Sequence, residues 1–167
     1  MSLASDLLEQ AHFLARRDKR RPRHASLRRA VSTAYYAVFH LLTEEAAAQA
    51  GPATPAGLRV ALRRCLDHGP MKNAAQAFES GKFPEQFSTL VATPVPAELI
   101  AIAKAFGRLQ QQRHRADYDL LEPFSKAEAI ESLADASKVF SDWKVIRASE
   151  EARLFLAAWM FPRRGNR

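Results

Sequence analysis

Apolar residues recur at intervals of three and four along most of the chain, and no stretch alternates in the manner of a strand. The spacing of Leu3, Leu7, Ala11 and Leu14 or Ala15 predicts a first helix over Ser2 to Arg17, broken by the arginine-rich run up to Pro22 and Arg23. A second helix is predicted from Ser26 to Gln49. Leu27, Val31, Ala34, Val38, Leu41 and Leu42 share one of its faces, and Arg29, Ser32, Tyr36, Phe39, His40 and Thr43 share the opposite one. A helix apolar or aromatic on both sides is expected to be covered on both sides, by another helix of the chain or by another subunit.

Gly51 to Gly57, with Pro52 and Pro55, reads as a turn. Leu58 to Leu66 reads as helix, His68-Gly69-Pro70 as an interruption, and Met71 to Glu79 as a further short helix. Loops are expected at Ser80-Gly81 and Phe83-Pro84. The third long helix is predicted from Ala97 to Ala116, with Leu99, Ile102, Ala103, Phe106 and Leu109 as its stripe. Glu122-Pro123 breaks it. Ser125-Lys126-Ala127-Glu128 has the form of a capping box and opens the last long helix. Ile130, Leu133, Ala134, Phe140 and Trp143 are expected to form its core face, with a continuation or kink before Leu154, Phe155, Ala158 and Trp159.

Composition sharpens this to an all-α fold, since there are only 6 glycines and few β-branched residues. Long helical segments joined by short connections predict an antiparallel up-down helical bundle of four to five main helices. One domain over residues 1–160 with a basic tail at 161–167 is expected. At 47% hydrophobic residues the chain can bury a core. A single cysteine, Cys65, excludes an internal disulfide and a thiolate zinc site, and reads as a small packed residue. His12, His24, His68 and His114 have no metal-ligand spacing, so neither metal nor cofactor is expected. No apolar run is long enough to span a bilayer, and Met1 to Asp6 lacks the pattern of a signal peptide. The expected location is cytoplasmic, with no membrane partner.

Charge then changes the picture. The net charge is +7, and it is concentrated in one place. Arg16, Arg17, Lys19, Arg20, Arg21, Arg23, Arg28 and Arg29 crowd one segment whose single acid is Asp18, while the rest of the chain sums to zero. Such a patch is a candidate phosphate-binding surface for nucleic acid, though an acidic protein surface or anionic headgroups would satisfy it too.

The candidate chemistry lies elsewhere, at Arg113-His114-Arg115-Ala116-Asp117-Tyr118. On a helical wheel Arg113 and Asp117 extend the apolar stripe of Leu99 to Leu109, whereas Arg108 falls on the far side. An arginine on a covered face needs a partner, and Asp117 four residues on is well placed. Read by itself, this pair is equally well a helix-end salt bridge that fixes a loop.

Together with Arg29 to His40, which contains Tyr35-Tyr36-Ala37-Val38-Phe39-His40, this element resembles the HEPN (higher eukaryotes and prokaryotes nucleotide-binding) superfamily. The likeness covers roughly Leu3 to Trp143 and includes Asp67-His68-Gly69, at a place where such proteins often carry a His-Gly step. It implies a dimerising helical bundle with a cleft where two copies of an arginine motif meet. Active members carry Arg-x(4–6)-His and cleave RNA without metal. Here Arg113 takes the place of the motif arginine and His114 that of the polar residue after it. Tyr118 stands where the histidine would be, which is a departure. Internal transesterification needs a base, an acid and a cation on the phosphorane. Arginine suits the last role, while tyrosine, with a pKa of about 10, is a poor base. His114 and His40 are the histidines within reach of the motif. The resemblance thus implies RNA binding, with Arg113, His114, Asp117, Tyr118 and His40 as catalytic candidates for a ribonuclease of toxin or defence type. Its alternative is a non-catalytic helical module that partners a nucleotidyltransferase-like protein. Either way a homodimer is expected.

Overall fold

A computed structural model describes residues 2–18, 22–66, 68–83, 85–91, 94–119 and 121–160. Among them the chain is all helical. Seven helices are α1 (Leu3–Arg16), α2 (His24–Ala48), α3 (Ala56–Arg64), α4 (His68–Ser80), α6 (Ala97–Tyr118), α7 (Lys126–Ile146) and α8 (Glu150–Met160), with a single helical turn, α5 (Glu85–Ser88), between α4 and α6. Lys19, Arg20, Arg21, Asp67, Pro84 and the tail 161–167 lie outside the described residues. Two compact units form, one from residues up to 41 with 105–141, the other from 42–104 with residues from 142 onward.

The first unit comprises α1, the N-terminal part of α2, the C-terminal part of α6 and most of α7. Ser2 caps α1 by accepting the Ser5 N–H at 3.3 Å. The buried face of α1 is Ala4, Ala11 and Ala15, while the expected Leu3 is 51% exposed. Small side chains let a helix approach its neighbours closely, and here they are the fully covered positions, with Leu7, Leu8 and Leu14 half-buried beside them. His12 Nε2 meets Ser137 Oγ of α7 at 3.0 Å. Asp18, the one acid of the basic segment, accepts from the Arg23 N–H at 3.2 Å and the Ser26 hydroxyl at 3.3 Å. It thereby holds the start of α2 and supplies the negative charge this basic terminus otherwise lacks.

The predicted capping box is present at α7. Glu128 N–H donates to Ser125 Oγ at 3.2 Å, and Ser125 N–H donates back to Glu128 Oε2 at 2.8 Å. The core face of α7 is Ala129, Ser132, Leu133, Ala136, Val139 and Trp143. Ile130 is 51% exposed and Ala134 is exposed, contrary to the sequence reading. Both lie on the flank of a buried stripe that small and hydroxylated residues complete, a stripe that hydrophobicity alone displaces by about one position.

The link from α6 to α7 is the most heavily tied part of this unit. Arg28 of α2 donates from Nη1 to the carbonyls of Arg115, at 3.2 Å, and Ala116, at 2.8 Å, and from Nη2 to those of Asp119 and Glu122. Its guanidinium also lies 5.5 Å from the ring centre of Phe124. Arg115 reaches Glu122 at 2.9 Å and Glu128 at 3.2 Å, with its guanidinium 4.7 Å from the same ring. Leu27, Val31, Ala116, Phe124 and Ala129 form the apolar cluster beneath. A cation over the carbonyl end of a helix is favourable in both charge and hydrogen bonding.

In the second unit, Gly51 at φ 100° follows α2, and Gly81 at φ 67° follows α4. α4 packs on α8 through Phe78 and Phe155, with ring centres 5.1 Å apart. His68-Gly69-Pro70 starts α4 instead of only interrupting a helix, because proline is at home in a first turn, where its missing N–H costs nothing. The break after α7 falls at Arg147–Ser149, and Ser149 Oγ caps α8 by accepting the Ala152 N–H at 3.1 Å. Arg147 pairs with Glu45 at 2.9 Å.

Arg28→Ala is expected to lower the unfolding free energy by about 2 kcal/mol, the scale of hydrogen bonds to a charged group. Arg29→Ala is expected to change it by under about 0.5 kcal/mol, as for an exposed residue. Urea unfolding of both variants measures the contrast.

His12 titrates below its usual 6.5, first because burial disfavours the charged ring and then because Arg16 repels it. The folded state therefore binds fewer protons there than the unfolded chain. Stability from this site is complete above pH 6.5 and declines as pH falls through it toward the lowered folded value. The difference in unfolding free energy between wild type and His12→Gln, followed from about pH 7.5 to 5, should shrink with acidification. A constant difference would remove His12 as its source.

Candidate functional site

The site is built from one face of α2 and the last turns of α6. Arg113 sits where the apolar stripe of α6 ends, so its stem is covered and its head is largely enclosed, with 17% of the side chain exposed. Nη2 donates to the Tyr36 hydroxyl at 2.7 Å. Nε is 2.9 Å from Asp117 Oδ2, an ion pair by separation, although the N–H is not aligned for a hydrogen bond to that oxygen. The guanidinium also lies 5.4 Å from the ring centres of both Tyr36 and Tyr118. Partial burial by itself disfavours its charge. The Tyr36 hydrogen bond, with Tyr36, Asp117 and Tyr118 as electrostatic partners, more than offsets that, so Arg113 is held charged more firmly than a free arginine.

Asp117 is the hub of the acceptors. Besides Arg113, it takes the Ser32 hydroxyl at 3.3 Å on Oδ2. Ser32 is buried at 2% exposure one turn before Tyr36, which places both on the α2 face that carries Arg29. Together Ala25, Arg28, Arg29, Ser32 and Tyr36 of α2 and Ala116 and Asp117 of α6 line an open pocket of about 450 Å³.

The paired tyrosines divide their work. Tyr35 is fully buried against Phe39 and Phe106, with ring centres at 6.0 and 5.8 Å. Burial pushes its phenol far above the ordinary range, with Arg113 only partly opposing this, so it serves packing rather than proton transfer. Tyr36 is half-buried and lines the pocket. Its role and that of Ser32 were missed in the sequence. The available signal was their placement on one helical face with Arg29.

The other sequence candidates are distributed as follows. His114 is exposed, its ring 5.0 Å from that of Tyr118, which is itself 63% exposed. His40 lies one turn beyond Tyr36, half-buried, with its ring centre 6.5 Å from that of Tyr36 and 5.6 Å from that of Phe39. Arg108, on the far side of α6 as the wheel predicts, makes a two-pronged bond to Asp135 of α7 at 2.8 and 2.7 Å.

Of the basic segment, Arg16, Arg17, Arg23 and Arg29 are exposed. Arg28 has its fork on backbone carbonyls, so it contributes charge to the pocket while its Nη donors are engaged. Lys19, Arg20 and Arg21 are the candidates outside the described residues. Among the described residues no group of three or more His, Cys, Asp or Glu could hold a metal ion, and no helix is long and apolar enough to cross a membrane.

Neither a protein-family model, nor a curated protein, nor a solved structure matches this chain.

The cohesion of the site is measurable. Tyr36→Phe, which deletes the hydroxyl that receives Arg113, and Asp117→Asn are expected to destabilise less together than the sum of their separate effects. The expected coupling is on the order of 1 kcal/mol, because both act on one guanidinium. A double-mutant cycle by urea unfolding checks this.

Proposed function

We propose that the chain is an RNA-binding protein of the HEPN kind, an up-down helical bundle acting as a homodimer, and that it cleaves RNA without metal. The observation that carries this reading is convergence. Tyr36 and Asp117, the two partners of the motif arginine, line one pocket together with Arg28 and Arg29 from the end of the basic segment. A site that combines phosphate-seeking guanidinium groups with hydroxyls and a carboxylate is chemically matched to a sugar–phosphate backbone.

In the cleavage step the 2′-oxygen attacks phosphorus, the bond to the 5′-oxygen breaks, and a 2′,3′-cyclic phosphate and a 5′-hydroxyl result. Arg113 is suited to stabilise the added charge on the phosphorane, having been locked in its charged form before the ligand arrives. The proton from the 2′-hydroxyl and the proton delivered to the 5′-oxygen need titrating groups. His114 and His40 are the candidates nearest the motif. Tyr118, exposed with its ring tilted against that of His114, offers an aromatic face beside the motif.

One observation favours the second reading, a non-catalytic module that partners a nucleotidyltransferase-like protein. Arg113 already spends a donor on the Tyr36 hydroxyl and its charge on Asp117, the arrangement of a residue that holds an interface together.

The two readings separate in one assay. Purified protein in chelator is expected to cleave single-stranded RNA to cyclic-phosphate products, and Arg113→Ala to lose at least about a hundredfold in rate while retaining its helical spectrum, as for removal of one transition-state donor. Absence of cleavage above that variant removes the enzyme. RNA binding that persists in both and weakens with salt leaves the binding module.

A further inference from the structure

The pocket beside Arg113 has a more specific chemistry than affinity for phosphate, and its inventory of donors and acceptors shows what kind of nucleotide it suits. We propose that it is a ribonucleotide subsite in which Asp117 accepts a hydrogen bond from the ligand's 2′-hydroxyl while Arg29 holds the adjoining phosphate, so that RNA is distinguished from DNA at the binding step. This rests on the RNA-binding reading above and names the residue that sets its specificity.

Size comes first. About 450 Å³ lies within the range of small-ligand pockets and accommodates a single nucleotide unit with the rest of a strand outside. Charge comes second. Arg28 and Arg29 line the pocket against the one carboxylate of Asp117, and Arg113 stands behind that carboxylate, so the surroundings remain positive toward a phosphodiester. Arg28 has its Nη atoms on carbonyls, whereas Arg29 makes no hydrogen bond or ion pair among the described residues and is exposed at the rim. Arg29 is therefore the guanidinium with donors to give.

The acceptor decides the sugar. Asp117 Oδ2 is engaged by Arg113 and Ser32, and Oδ1 has no partner among the described residues. An ionised carboxylate can only accept. A phosphodiester and a deoxyribose offer it no proton within the chain, whereas a ribose offers its 2′-hydroxyl beside the phosphate. Ser32 has spent its proton on Asp117 Oδ2, which leaves Oδ1 for the ligand's hydroxyl. The acceptors are also fixed in advance. Arg113 anchors Asp117, and Arg28 pins the carbonyl of Ala116 beside it, so little ordering remains to be done on binding.

The test uses three single strands of one sequence: RNA, the same strand with 2′-fluoro in place of every 2′-hydroxyl, and DNA. The fluoro strand keeps a ribose-like pucker and loses only the donor. Each is titrated by fluorescence anisotropy against wild type, Asp117→Ala and Arg29→Ala, in chelator, at 4 °C and within an interval over which a gel shows the RNA strand still uncut. Wild type is expected to bind RNA about tenfold more tightly than the fluoro strand, the effect of one hydrogen bond to a charged group. That ratio should fall to about one in Asp117→Ala whatever happens to overall affinity, and Arg29→Ala should weaken all three strands alike. RNA bound no better than the fluoro strand by wild type overturns the subsite while RNA binding itself stands, and that comparison needs no variant to fold. A tenfold ratio that survives in Asp117→Ala moves the discrimination to another residue and overturns the assignment. No binding of any strand overturns the RNA reading itself.

Discussion

A helix that ends inside a folded unit leaves carbonyl oxygens without helical donors, and the end of α6 meets that constraint with one guanidinium. Arg28 reaches from α2 to four carbonyls between Arg115 and Glu122. This bond set determines where α6 stops, how the chain turns toward Phe124 and where the Ser125 cap of α7 begins. Asp117 sits among those carbonyls, so its position relative to Arg113 and Ser32 inherits that anchoring. An exposed ion pair would hold such a junction weakly, because solvent screens it and each long side chain loses freedom. A partly buried fork on several carbonyls is directional and scarcely replaceable, since lysine has one nitrogen where arginine offers two parallel arms.

This division of labour reorders the meaning of the basic segment. By sequence the eight cations are equivalent, and their sum invites a single electrostatic role. In the fold Arg28 is a structural clamp, Arg29 its outward-facing neighbour, and Asp18 the bracket that holds the start of α2. Adjacent residues on a helix point about 100° apart, so one covered and one exposed arginine is what the geometry produces. Local charge density therefore overstates the number of cations available to a ligand.

The helices with long regular stripes were legible because apolar spacing and caps agree there. α2 and α6 begin and end within about two residues of their expected limits, α7 begins at its expected cap, and the reciprocal Ser125–Glu128 bonds were readable from four letters. The pairing of Arg113 with Asp117 was readable from the wheel as well. Three things were not. The face of α7 was displaced because its stripe is finished by Ala129, Ser132 and Ala136, whose small side chains carry little hydrophobic signal. The start of α4 was obscured by a proline that breaks helices everywhere except in a first turn. The partnership of Tyr36 with Arg113 joins residues far apart in the chain, and no local spacing encodes a contact of that kind.

The alanine face of α1 has a kinetic consequence. The fully covered side chains of α1 are three alanines, Leu7, Leu8 and Leu14 are half-buried, and Leu3 and Phe13 stand at 51% and 64% exposure, so this helix surrenders less apolar area when it lifts away than the leucine- and valine-faced α2 would. Regions that bury little open locally at a small fraction of the global cost. Amide protons of α1 should accordingly exchange with solvent ahead of those in α2 and α6, where the Arg28 clamp holds the two helices together. The chain thus places its most heavily charged stretch between its least committed helix and its most firmly anchored one.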